Sequence, residues 1–97
     1  MKIRLSLLGG AVLCLGLAGC SHVAPLSQAE ACANGLNRGF AELQDAKAKG
    51  FSGSVSWIKA AGLLSAAKIQ QQLNRYPSCI NKTQRAREFI RRADMGL

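Results

Sequence analysis

The chain has 97 residues, enough for one domain at most. Thirteen basic residues against five acidic ones give a net charge of +8, with a single histidine. Within these 97 residues a single domain is expected, with few groups for a catalytic constellation or a metal shell.

The first segment reads as an export signal. Lys2 and Arg4 form a short positive region, and Leu5 to Gly16 is an apolar run broken only by Ser6. Small residues then lead into Cys20. The run is too short for a comfortable membrane span and has the layout of a secretory leader, so residues 1–19 are expected to be removed.

Leu17-Ala18-Gly19-Cys20 places an aliphatic residue three before a cysteine, with two small residues between. This resembles the lipobox of bacterial lipoproteins. The resemblance implies a diacylglyceryl group on the Cys20 thiol, cleavage before Cys20 and acylation of the new amine. An ordinary signal cut near Gly19 or Ser21, leaving Cys20 a spare thiol, is the competing reading. Acyl chains at roughly 0.8 kcal/mol per buried methylene make such an anchor effectively permanent. In the family an Asp after the cysteine often marks inner-membrane retention. Ser21 in its place implies the outer membrane, facing the periplasm. Residues 20–26 are then the lipidated cysteine and a short tether containing His22 and Pro25. Ser21 to Leu26 reach only about 20 Å when fully extended, which keeps the folded part close to the bilayer.

The mature chain would hold about 78 residues, with eleven of the thirteen basic residues and all five acids. A domain this small usually needs a staple. Cys14 leaves with the leader and Cys20 carries lipid, so Cys32 and Cys79 remain as an even pair in an oxidising compartment. A bridge between them closes about 48 residues, for which chain entropy gives roughly 4 kcal/mol. Two separate buried thiols are the alternative. No metal or other cofactor is expected, because two cysteines and one distant histidine do not complete a tetrahedral shell.

Three helices are predicted over residues 27–97. Ser27 followed by Glu30 matches a capping box. Ala29, Ala33, Leu36, Phe40 and Leu43 then fall on one stripe, with Cys32 at its edge and Gly50 placed to terminate the helix. Gly35 and Gly39 each cost roughly 1 kcal/mol inside a helix. A close helix neighbour would explain them; a break near Asn34 is the competing reading. Phe51-Ser52-Gly53-Ser54 reads as a turn in which Ser52 or Ser54 caps the second helix, about 55–75. Its stripe is Val55, Ile58, Gly62, Ala66, Ile69, Leu73 and Tyr76, and Pro77 is expected to stop it. The third helix, about 78–93, carries Cys79, Thr83, Ala86, Phe89, Ile90 and Ala93 on its apolar face. No segment alternates like a strand. The expected fold is therefore all-α, a small antiparallel three-helix bundle stapled by one disulfide. Its first and third helices begin at the same end, bringing Cys32 to Cys79.

Catalysis is not expected. His22 sits in the tether, Glu30, Glu42 and Asp45 lie towards the outer face of the first helix, and Ser52, Ser54 and Ser56 lack a nearby base. Two surfaces are candidates for binding. On the third helix, Lys82, Arg85 and Arg92 flank the apolar stripe on one side, and Arg87 and Arg91 on the other. Such a helix could meet anionic lipid headgroups, lipopolysaccharide phosphates or an acidic protein, or could simply be solvated. On the middle helix, Trp57, Ala60, Ala61 and Leu64 project opposite the Ile58–Leu73 stripe, either as a protein-partner patch or as internal packing.

Trp57-Ile58-Lys59-Ala60-Ala61 and Tyr76-Pro77-Ser78-Cys79 are similar to segments of small, alanine-rich helical lipoproteins of Gram-negative envelopes. That resemblance implies no activity. The expected role is a membrane-anchored, non-catalytic structural or protein-interaction module of the cell envelope, with a basic module for anionic envelope components as the alternative. Neither nucleic acid nor a small-molecule substrate is expected as a partner.

Overall fold

A computed structural model describes residues 27–97; the expected leader, the Leu17–Cys20 motif and the tether lie outside the described residues. The chain forms α1 (Gln28–Ala48), α2 (Val55–Gln72) and α3 (Tyr76–Asp94), with no strand among the described residues. This is the expected all-α, three-helix arrangement.

The caps explain where each helix begins and ends. Ser27 Oγ accepts from the Glu30 N–H at 3.1 Å, and Glu30 Oε1 accepts from the Ser27 N–H at 3.1 Å, completing the capping box. At the other end of α1, Gly50 has φ of 93°, a conformation that favours glycine. Its N–H donates to the Lys47 carbonyl while that of Phe51 donates to the Ala46 carbonyl, a Schellman pair that satisfies the last carbonyls. Ser54 caps α2 by accepting from the Trp57 N–H at 3.1 Å.

The end of α2 differs from expectation. Asn74, at φ of 58°, closes the helix with a second Schellman pair, Asn74 N–H to Gln71 O and Arg75 N–H to Gln70 O. Asparagine tolerates this backbone region, so the turn forms before Pro77 is reached. Pro77 instead sits in the first turn of α3, where no N–H donor is needed, and Tyr76 belongs to α3 rather than to α2.

Pairings across the molecule give the directions. Cys32 meets Cys79, Gly35 meets Thr83, Glu42 meets Arg87 and Lys49 meets Asp94, so α1 and α3 run parallel. Gly39 meets Leu64 and Leu43 meets Trp57, so α2 runs antiparallel to α1. Cys32 and Cys79 are bridged, fully buried and 5.6 Å apart at Cα, as their places near the starts of two parallel helices require.

Helix α1 is continuous through Asn34–Gly39, and its glycines are explained by close neighbours. A Cβ on Gly39 would stand 2.5 Å from Leu64 Cδ2, and one on Gly35 would stand 2.6 Å from Thr83 Oγ1. Cys32 and Gly39 lie at the centre of the buried stripe, while Ala29 and Phe40 are exposed. On α3 the expected face is inside: Cys79, Thr83, Ala86, Ile90 and Ala93 are buried, and Phe89 is half-buried at the rim.

For α2 the inward face is the opposite of the one predicted. Ser56, Ala60, Leu64 and Ala67 are buried, while Val55, Ile58, Ile69 and Leu73 are exposed. The helix is apolar nearly all round, so its periodicity offers two faces and cannot choose between them. The neighbours choose. Gly39 leaves a recess that receives Leu64, and the Trp57 Nε1–H finds the Leu43 carbonyl at 3.0 Å only when this face turns inward.

Candidate functional site

The reversed α2 removes one candidate and creates another. Trp57, Ala60, Ala61 and Leu64 form no surface patch: Ala60 and Leu64 are fully buried, and Trp57 and Ala61 pack half-buried against the core. Beside them, where α2 and α3 meet, lies a shallow groove of about 400 Å³ lined by Lys59, Gly62, Leu63, Arg85 and Phe89. Gly62 supplies an open stretch of helix, with nothing within 4 Å of where a Cβ would sit. Phe89 and Leu63 give the groove an apolar floor.

The cations around this floor are held without acids. Lys59 Nζ and Arg92 Cζ each lie 5.5 Å from the centre of the Phe89 ring, within reach of its electron-rich face. All five acids of the chain are among the described residues, and none lies within ion-pair distance of Lys59, Arg85 or Arg92.

The five cations proposed on α3 thus have different fates. Arg85 and Arg92 stand at the groove. Lys82 donates to Ser78 Oγ at 3.2 Å, one turn back on the same helix. Arg91 pairs with Glu88. Arg87 forms a fork to Glu42 of α1, Nε to Oε1 at 2.7 Å and Nη2 to Oε2 at 2.8 Å. The sequence pattern does not mark Lys59, Gly62, Leu63 or Phe89 for binding. Lys59 is the available signal, as the lone charge in opening turns of α2 that are apolar apart from Ser56.

A second cleft, between α1 and α3, opens beside Gly35 and Thr83. Its two cations are Arg38 and Arg87, and the second is already committed to Glu42. Among the described residues no three His, Cys, Asp or Glu side chains gather as a metal set, and no helix is long and apolar enough to cross a membrane.

No family model, curated protein or solved structure matches this chain. What the groove can do follows from its chemistry: an apolar floor rimmed by fixed positive charge suits an anionic, amphipathic surface.

The Glu42–Arg87 pair carries a pH signature. The Arg87 hydrogen bonds hold the Glu42 carboxyl below the usual carboxylate range, with the Arg87, Arg91 and Arg38 charges adding to the shift. The folded value is depressed, so the stabilisation is present above the ordinary Glu value of about 4.3 and is lost as pH falls through the folded value. Both side chains are substantially exposed, which limits the effect to about 0.5–1 kcal/mol. Glu42→Gln should destabilise the domain by that amount at neutral pH. The difference from wild type should close in urea titrations at acid pH; a gap unchanged by pH would refute the assignment.

Proposed function

We propose that this chain is an exported bacterial lipoprotein, anchored through acyl groups on Cys20, whose helical domain is a non-catalytic structural or protein-interaction module of the cell envelope, on the outer membrane and facing the periplasm. One observation carries the reading. The small core is closed by a buried disulfide between Cys32 and Cys79, which suits an oxidising compartment outside the cytosol. The Leu17–Cys20 motif behind a basic and apolar leader supplies the route to that compartment and the anchor.

A second reading is favoured by Lys59, Arg85 and Arg92, which have no acidic partner: a basic helical module for anionic envelope components such as lipid headgroups or lipopolysaccharide.

Intact mass spectrometry of the protein purified from bacterial membranes tests the anchor. The expected product begins at Cys20 and carries diacylglyceryl plus an amide-linked acyl chain, and Cys20→Ala should remain uncut. An unacylated first residue, or cleavage elsewhere, overturns the reading.

A further inference from the structure

The outer face of α2 is a continuous apolar row. Val55, Ile58, Gly62, Ala66, Ile69 and Leu73 recur at steps of three and four along the helix. The four large aliphatics among them are 65%, 58%, 53% and 54% exposed in chain order. Single exposed aliphatics are ordinary, but a row running the length of a helix marks a contact surface.

Charge identifies the occupant. Helix α2 carries no acid, and its charged residues are Lys59 and Lys68. The row borders the groove where Lys59, Arg85 and Arg92 surround Phe89. The acids lie elsewhere: Glu30, Glu42 and Asp45 on α1, Glu88 paired with Arg91, and Asp94 turned towards Lys49 at 3.9 Å. A second copy laid on this row would bring lysines together with no acid on either helix. An anionic bilayer meets both features at once, taking the aliphatic row at the headgroup–acyl boundary and the cations at its phosphates.

We propose that the outer face of α2, with the Lys59–Arg85–Arg92 rim, is a docking surface for anionic phospholipid. The domain lies with α2 flat on the membrane and α1 facing away. This rests on the membrane-anchored reading, which sets the domain within a short tether of such a surface.

The test places an environment-sensitive dye on the full-length protein at Gly62→Cys, where the side chain meets open space, and separately at Gln44→Cys on the exposed side of α1. Helical circular dichroism and an intact Cys32–Cys79 bridge verify the fold of each. With phosphatidylglycerol vesicles containing a lipid-borne quencher, the dye at 62 should be quenched and the dye at 44 should not. Ile58→Ser with Ile69→Ser should abolish the difference. Lys59→Gln with Arg85→Gln should weaken docking about thirtyfold, since each basic residue near an anionic surface contributes roughly fivefold. Phosphatidylcholine vesicles should give little quenching.

Equal quenching at both positions overturns the proposal, as does no quenching at either. Concentration-dependent shielding of the dye at 62 without vesicles also overturns it, in favour of a second copy. The mass of the same preparation separates the two readings. Acylated Cys20 without docking defeats only the α2 surface, and docking by an unacylated chain defeats only the anchor.

Discussion

Replacing Cys32 and Cys79 together with serine should lower the stability of the domain by roughly 4 kcal/mol, enough to leave much of it unfolded at physiological temperature. The bridge joins residues 47 apart in sequence, so its loss frees a long loop in the unfolded chain. The core has little with which to compensate. Of its buried residues, Ala46, Ala60, Ala67, Ala86 and Ala93 contribute small side chains, and only Leu36, Leu43, Leu64 and Ile90 are large aliphatics. At roughly 0.05–0.15 kcal/mol per residue, a domain of this size has a total stability comparable with the contribution of the bridge. Urea unfolding followed by circular dichroism would measure the change, and reduction of the wild type should reproduce it. A loss below about 1 kcal/mol would show that helix packing alone sustains the fold.

Leu64→Ala should cost about 2–5 kcal/mol, because Leu64 is fully buried between α1 and its own helix and its removal leaves a cavity. Gly39→Ala should also destabilise, by about 1–3 kcal/mol, although alanine is the better helix former. The added methyl would fall 2.5 Å from Leu64 Cδ2, and a fully buried leucine has little room to turn aside. The two substitutions should therefore compensate one another. The Gly39→Ala, Leu64→Ala double variant should lie above the sum of the singles by about 0.5–3 kcal/mol, measured as a coupling energy from urea titrations. Strict additivity would mean that Gly39 and Leu64 do not share the contact.

Local chemistry and the periodicity of α1 and α3 determined most of the fold from the sequence. Ser27 with Glu30, Ser54 and Gly50 mark three helix boundaries because each satisfies backbone groups within a few residues of itself. The buried face of α3 was legible because charge covers the rest of that helix, and Cys32 with Cys79 followed from counting cysteines. Only the tertiary structure decided which face of α2 turns inward. That helix has apolar residues on both sides and no acid to mark the outside, so neither hydropathy nor charge distinguishes them. The decision belongs to groups distant in sequence: the recess at Gly39 and the Leu43 carbonyl that receives the Trp57 N–H. The same holds for the cations of α3. Arg87 is tied to Glu42 across 45 residues while Arg85 stays unpaired, and only packing α1 against α3 separates their fates.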